Sequence, residues 1–209
     1  METVYLDYAT GALSAPARLL MDAHLAMRPE HRANVAVWEM VGAQLLEADP
    51  APVSDQARAR VQRLLDEAGP DQAASPPAPN VDGLPEPLAS AIGLPLESLK
   101  WSSPIPGMRE WTFPQFPEAR LLRLRPGGGV FEHSHTGREL TLILRGAYAD
   151  SEGVWEAGDV ELADSELWHS PQVVGREECL CFAVTEGAYR LKGINRLLAA
   201  FTGFRDRLA

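Results

Sequence analysis

The sequence predicts an α+β multidomain fold, in which a small helical bundle precedes an all-β sandwich or barrel. Apolar residues recur at helical spacing through the first 68 residues, and from Trp101 onward they alternate with a period of two. Six prolines fall within residues 70–87, which is the composition of a semi-rigid linker. We therefore predict a helical half at 1–69, a linker at 70–87 and a barrel half at 88–209.

Four short amphipathic helices are predicted in the helical half. The first lies near residues 6–9, and the second covers 15–27 and ends before Pro29. The third covers 30–48, and the fourth follows Ser54, a residue type that caps helix N-termini. Such short helices must bury their apolar stripes against each other or against a partner. In the fourth helix we expect the inward-facing residues to be Ala57, Val61, Leu64 and Leu65.

Short strands fill the barrel half and are separated by glycine and proline. Residues 119–125 alternate between apolar and charged side chains, and residues 140–144 form a short apolar run. Residues 179–184 predict a buried strand, and a final helix is expected at about 194–201. Strands at this spacing are typical of a sandwich or a barrel.

The charge balance and the cysteine count exclude several classes of protein. With 19 basic and 29 acidic residues the net charge is −10, which disfavours direct binding to nucleic acid phosphates. An acidic surface can still hold a basic DNA-binding protein. There is no apolar run of the ~18 residues that a membrane span requires, and the N-terminus lacks the features of a signal peptide. Because two cysteines cannot form a disulfide framework, we expect a cytoplasmic protein.

The strongest functional signal is a cluster of histidine and glutamate in the barrel half. His133 and His135 are two residues apart, so their side chains project to the same side of a strand. Glu139 follows a short turn and can return to that face on the next strand. Two imidazoles and a carboxylate suit a divalent transition metal. Of the five histidines in the chain, His169 is the expected fourth ligand, because it lies in the same β region.

The spacing of these residues resembles that of a cupin. The first cupin motif reads here as Gly127-x5-His133-x-His135-x3-Glu139-x6-Gly146. Gly158 and Asp159, followed by His169, resemble a shortened second motif. The resemblance implies a jelly-roll barrel, also called a double-stranded β-helix, in which three histidines and one glutamate hold a metal ion. We expect Zn²⁺, with Fe²⁺, Mn²⁺ and Ni²⁺ as alternatives.

The whole chain, apart from the linker, is similar to the ChrR family of anti-sigma factors. The matching segments are residues 8–14, 23–26, 29–33, 139–146 and 179–181. In that family a helical zinc-type anti-sigma domain precedes a cupin domain. The resemblance implies a sigma factor of the extracytoplasmic-function type as partner. It also implies a response to singlet oxygen or peroxide through the metal in the cupin.

The helical half departs from the zinc signature of that family. The signature is an upstream His followed by His-x3-Cys-x2-Cys, whereas this chain reads His24-x3-Arg28-x2-His31. Arginine stays protonated and has no lone pair to offer a metal, and a structural zinc site needs four ligands. His24 and His31 are therefore weak metal candidates, with Asp7 as the one conceivable helper. We expect the helical half to fold without a metal.

Cys179 and Cys181 form a second candidate feature of the barrel half. On an extended strand they face the same side, and their expected role is that of small apolar residues in the core. The alternative is a redox-sensing pair near the metal pocket. Cysteines two apart on a strand are poorly placed for a mutual disulfide.

Two other functions remain as alternatives to an anti-sigma factor. The first is a cupin dioxygenase, because three histidines and one carboxylate also bind Fe²⁺ with an open position for O₂. The second is a cupin that binds a small ligand without redox chemistry. A homodimer formed through the cupin is a candidate assembly. We also expect the two halves to act separately, with the helices binding the partner and the barrel sensing the signal.

Overall fold

The structure is a computed structural model that describes residues 1–48, 52–67 and 82–192. Its helices are α1 (Glu2–Ala9), α2 (Ala15–Met27), α3 (Arg32–Ala48), α4 (Asp55–Glu67) and α5 (Glu86–Ile92). Its strands are β1 (Met108–Phe113), β2 (Phe116–Leu124), β3 (His133–His135), β4 (Glu139–Arg145), β5 (Ala147–Ala149), β6 (Val154–Glu156), β7 (Val160–Ala163), β8 (Gln172–Val173), β9 (Cys179–Thr185) and β10 (Tyr189–Leu191). The final helix predicted at 194–201 lies outside the described residues.

The helices follow the sequence prediction closely, with one addition. Helix α2 has the predicted bounds, and the Ser54 hydroxyl accepts a hydrogen bond from the backbone N–H of Ala57 at 3.2 Å. Helix α3 is preceded by a 3₁₀ turn at Pro29–His31. The additional helix α5 begins at Glu86, within the segment assigned to the linker. None of these described helices is long and apolar enough to cross a membrane.

Three antiparallel sheets build the barrel. The largest has five strands in the order β1-β2-β9-β4-β7, and the smaller two are β10-β3 and β6-β5-β8. A hydrophobic cluster with members on all three sheets includes Leu124, Ile143, Tyr148, Cys181 and Tyr189. This cluster forms the inner core between the sheets, and the candidate metal ligands lie beside it.

The central strands of the five-stranded sheet are buried on both faces. Every residue of β9 is buried, and its side chains alternate between two different cores. Cys179 and Cys181 belong to the inner core, whereas Leu180, Phe182 and Val184 belong to a second core that also contains the helices. This double burial explains why residues 140–144 and 179–184 read as continuous apolar runs instead of alternating ones.

The helical half packs directly on the outer face of that sheet. Helix α2 contacts β2, β4, β9 and α5, and the shared core includes Leu20 and Met21 from α2 together with Leu121 and Phe182 from the sheet. The two halves are therefore packed against each other, and whether they act separately in function stays a prediction. The sequence predicted the apolar stripe of α2, but it did not predict the surface against which that stripe packs.

Helix α4 and the end of α3 lie outside this core. The prediction that Ala57, Val61, Leu64 and Leu65 face inward is wrong, because α4 has no buried residue. Leu65 is 64% exposed, and on α3 Leu45 is 68% exposed and Leu46 75%. Two amphipathic helices thus present apolar side chains that no described part of the chain covers.

Candidate metal centre

Three backbone segments bring the four predicted ligands together. His133 and His135 are on β3, Glu139 opens β4, and His169 pairs with His133 through an isolated antiparallel bridge. The backbone N–H groups of His133 and His169 each donate to the carbonyl of the other at 3.0 Å. All four side chains are buried, and one ligand atom from each lies within 4.8 Å of the others. Side chains from sequence positions 133 to 169 therefore converge on one point.

Hydrogen bonds on the far side of two imidazole rings orient their free nitrogens. The Nδ1–H of His133 donates to the carbonyl of Phe131 at 2.7 Å, and the Nδ1–H of His169 donates to Oε1 of Glu161 at 3.0 Å. When both rings are neutral, these bonds leave a lone pair on each Nε2 atom, and the two Nε2 atoms face each other at 3.1 Å. Two facing lone pairs repel unless a cation lies between them, so this arrangement fits a metal.

His135 and Glu139 complete the set of ligands. Neither ring nitrogen of the buried His135 has a hydrogen-bond partner among the described residues, although its Nε2 lies 3.4 Å from Oε2 of Glu139. Glu139 accepts hydrogen bonds from the hydroxyls of Thr185 at 2.5 Å and Tyr189 at 3.1 Å. An unpartnered buried imidazole is costly, and a metal ion would satisfy it.

The electrostatics of the site favour the metal-binding forms of His133, His135 and Glu139. Burial lowers the pKa of His133 to about 4 and also lowers the pKa of His135, so both rings are neutral at neutral pH. Burial alone would raise the pKa of Glu139, but attraction to His135 and His133 in their protonated forms, together with the hydrogen bond from Thr185, outweighs burial and lowers the pKa. Neutral imidazole and ionised carboxylate are the forms that bind metal.

Sequence reasoning missed the carboxylates that support His169. Glu161 on β7 accepts its Nδ1–H, and Oδ2 of Asp150 lies 3.5 Å from the same nitrogen. Tyr148 donates its hydroxyl to Glu161. Burial lowers the pKa of His169, but the hydrogen bond and charge of Glu161 outweigh it, and the pKa is raised. A glutamate between two apolar residues, Val160 and Leu162, shortly after Gly158 and Asp159, was the signal that could have identified Glu161.

The donor set fits a divalent transition metal. Three imidazoles and one carboxylate are ligands that zinc accepts, and a carboxylate bonded to the far nitrogen of a ligating histidine is a recurrent support for such ions. A small cavity of about 30 Å³ adjoins the ligands, with Met108, Val130 and Pro171 in its wall. It has room for about one or two water-sized molecules.

Cys181 also borders this cavity, and Cys179 lies behind it. Both thiols are free and buried, and their sulfurs are 3.5 Å apart. A hydrogen bond with Cys179 and burial together raise the pKa of the Cys181 thiol well above its ordinary value. A protonated, buried thiol is a poor nucleophile. This geometry supports the expected role in packing.

The histidines of the helical half form a different kind of cluster. Nε2 of His24 lies 2.9 Å from Nδ1 of His31, and the Tyr5 hydroxyl lies 3.3 Å and 3.0 Å from these two nitrogens. Nδ1 of His24 bonds to the carbonyl of Gly158 at 2.8 Å. Asp7, the conceivable helper, instead pairs with Arg138 at 2.7 Å. Every one of these groups therefore has a protein partner.

Comparison with known proteins agrees with this architecture. Residues 117–189 match a family model described as the ChrR cupin-like domain. The anti-sigma-E factor ChrR of Cereibacter sphaeroides is 36% identical over 191 residues, which cover 88% of this chain and 86% of that protein. The crystal structure of Rhodobacter sphaeroides SigE in complex with the anti-sigma ChrR matches with 34% identity and a TM-score of 0.70, covering 89% of this chain and 97% of that chain. The chain therefore belongs to the ChrR family of anti-sigma factors, with helices followed by a cupin barrel.

Proposed function

We propose that this chain is an anti-sigma factor that sequesters a sigma factor of the extracytoplasmic-function type. The observation that carries the proposal is the exposed apolar surface of α3 and α4, in a chain of the ChrR family. Its members are Val37, Met40, Val41, Leu45, Leu46, Val61, Leu64 and Leu65. Several exposed apolar side chains on each of two amphipathic helices are typical of a protein-binding site.

The charge of the chain agrees with such a partner. The net charge is −10, and a sigma factor carries basic surfaces that bind DNA. Opposite charges accelerate encounter, and the apolar side chains of α3 and α4 would then supply most of the affinity. Because sigma factors act on RNA polymerase, the chain would work in the cytoplasm.

The barrel is the proposed sensor of oxidative stress. His133, His135, Glu139 and His169 would hold the ion, with Zn²⁺ as the preferred metal. When bound, it supplies a positive charge that links β3, β4 and the segment at residue 169. Singlet oxygen or peroxide would act by modifying a ligand side chain, which would weaken this link. The Cys179 and Cys181 pair is the alternative target, with two buried thiols that are less reactive.

The dioxygenase alternative has less support. The curated relative and the solved structure reported above are each the anti-sigma factor ChrR, which is a regulator and not an enzyme. We accordingly assign no catalytic residue. A small-ligand cupin is also less favoured, because the cavity beside the ligands has a volume of only about 30 Å³.

The test uses the full chain, purified extracytoplasmic-function sigma factors from the same organism, and transcription by core RNA polymerase. We expect the chain to bind one of them tightly and to inhibit its transcription. Replacing Leu45 and Leu64 with serine should weaken binding by roughly 10-fold or more. The matched control is Leu94→Ser, because Leu94 is exposed to a similar degree, at 59%, but lies outside both helices. Failure to inhibit any of these sigma factors would contradict the proposal.

A further inference from the structure

The first of two polar contacts joins α2 to the loop between β6 and β7. His24 donates to the carbonyl of Gly158 at 2.8 Å, and Nη2 of Arg28 donates to the carbonyl of Ala157 at 2.9 Å. Arg28 also lies 3.4 Å from Oδ1 of Asp159. Gly158 has φ +94°, and a Cβ there would lie 2.5 Å from Nε of Arg28. The loop is thus shaped to receive this arginine, and we call this set of residues the α2 contact.

The second contact joins α1 to the start of β4 and the end of β9. Arg138 donates to Asp7 of α1 at 2.7 Å and to Glu186 at 2.6 Å. The Ser14 hydroxyl, at the start of α2, donates to Glu186 at 2.8 Å. We call this set the α1 contact. Burial lowers the pKa of Arg138, but its hydrogen bonds to Asp7 and Glu186 outweigh it, so the pKa is raised.

Both contacts adjoin groups that orient the metal ligands. Arg138 precedes the ligand Glu139, and Glu186 follows Thr185, which donates to Glu139. In the α2 contact, Asp159 lies two residues before Glu161, which accepts the Nδ1–H of His169. Arg138 is therefore adjacent to one ligand in the chain, and Asp159 is two residues from the carboxylate that supports another. Both contacts thus lie close to the metal centre.

We propose that these two contacts couple the metal centre to the docking of α1 and α2, with His24, Arg28, Asp7 and Arg138 as positioning residues. A bound metal fixes Glu139 and His169, and the adjoining chain then holds Arg138 and the 157–159 loop in place. Loss of the metal loosens both contacts and, with them, the helices that precede the sigma-binding surface. This inference rests on the proposed function, because it assigns the route by which the sensor reaches that surface.

The first test measures amide hydrogen exchange in the full chain, loaded with zinc and then stripped with a chelator. We expect stripping to accelerate exchange in α1 and α2 by about five- to tenfold, within the usual range of coupling between sites. In the double variant Asp7→Asn, Arg28→Met, exchange in these helices should be fast with and without zinc. Arg123→Met is the matched control, because Arg123 also bridges two carboxylates, Glu97 and Glu178, but touches neither helix.

The second test uses the reciprocity of coupling. Asp7→Asn on α1 should raise the zinc dissociation constant about fivefold, although Asp7 is not a ligand. The control is Asp66→Asn on α4, where Asp66 accepts a hydrogen bond from Gln62 of the same helix and, among the described residues, is bonded to nothing in the barrel; it should leave the zinc dissociation constant unchanged.

Four results would overturn the coupling. Equal exchange in α1 and α2 with and without zinc would do so, and so would an unchanged zinc affinity in Asp7→Asn. A metal-dependent difference that persists in the double variant would remove these contacts from the route. A full chain that binds no metal would overturn the coupling together with the proposed sensor. Because sigma binding is not part of either test, failure here leaves the proposed partner standing.

Discussion

The chain contains two clusters of histidine, one in each half, and the comparison separates a metal site from a structural one. In the barrel, His133, His135 and His169 present ring nitrogens to each other and to a buried carboxylate, and His135 has no hydrogen-bond partner among the described side chains and backbone. In the helices, His24 and His31 bond to each other, to a tyrosine and to a backbone carbonyl. The difference lies in whether the nitrogens are already satisfied.

Residue type and spacing alone do not reveal that difference. Both clusters contain histidines at short spacing, and both are largely buried. What marks the barrel cluster is that the far nitrogens of His133 and His169 already donate to Phe131 and Glu161, so the Nε2 atoms of the neutral rings offer lone pairs to a metal. The helical cluster instead uses its far nitrogen to hold Gly158 and so stabilises the interface between the halves.

The largest expected effect of substitutions in the two histidine clusters is on metal content. The double variant His133→Ala, His135→Ala should reduce bound metal from about one ion per chain to none, because a site with two ligands is too weak. The double variant His24→Ala, His31→Ala should keep the metal. Elemental analysis of the purified full-length proteins measures both. Metal retained in the first variant and lost in the second would reverse the assignment of the two clusters.

A second prediction concerns the support of His169. Glu161→Gln removes the carboxylate that orients the ring, and we expect zinc affinity to fall by about 10–100-fold. Glu132→Gln is the control, since Glu132 is exposed and directly precedes His133 in the chain. Competition with a chromophoric chelator gives both dissociation constants. Equal affinity in the two variants would remove Glu161 from the site.

A third prediction concerns the stability of the metal-free chain, which substitutions in the two clusters should change in opposite directions. His135→Leu removes two unpartnered buried nitrogens, so it should stabilise the metal-free protein by about 1–2 kcal/mol. His24→Leu leaves the Gly158 carbonyl without its donor and should destabilise it by about 1–3 kcal/mol. Chemical denaturation of chelator-treated protein measures both changes. Destabilisation by both variants would show that His135 is also satisfied without a metal.

The smallest effect expected is a pH dependence at His24. Burial lowers the pKa of His24 below its ordinary 6.5, so the folded chain keeps the ring neutral while the unfolded chain protonates it. The stability that this ring contributes is present above pH 6.5 and is lost as pH falls through the lower, folded-state pKa. Among its neighbours, Asp159 and the bond to Gly158 oppose this change, whereas His31 and Arg28 add to it.

The measurement compares wild type with His24→Leu at about pH 7.5 and about pH 5.5. The difference in unfolding free energy should be larger at the higher pH and should shrink at the lower one. A constant difference would mean that His24 has the same pKa in the folded and unfolded chain.

Much of the fold could be predicted from the sequence, because the patterns that indicate helices and strands involve residues close together in the chain. The helical periodicity of 15–27 gave the bounds of α2, and the spacing of His133, His135 and Glu139 identified residues that the structure brings together. The prediction of helices followed by a cupin barrel is confirmed by the family match and by the structural match to ChrR. Local spacing is informative here because a strand and a turn are enough to align these three side chains.

The parts that were missed depend on contacts between distant segments. The sequence does not show that α2 covers the outer face of β9, since both surfaces are simply apolar. The ion pairs of Arg138 join residues 131 and 48 positions apart, and no spacing rule predicts them. Glu161 was missed for the same reason, because its role is defined only by the approach of His169. The exposure of Leu64 and Leu65 was missed because an amphipathic pattern does not say which molecule covers it.

The most direct test of the account is the release of the sigma factor by an oxidant. Transcription would be measured from the complex of the full chain and its sigma factor, before and after exposure to singlet oxygen. We expect the wild-type complex to be inhibited until singlet oxygen releases the sigma factor, whereas His133→Ala, which already lacks a metal ligand, should inhibit weakly before exposure and change little after it. Release from the His133→Ala complex equal to that of wild type would contradict the claim that the metal centre controls the helices.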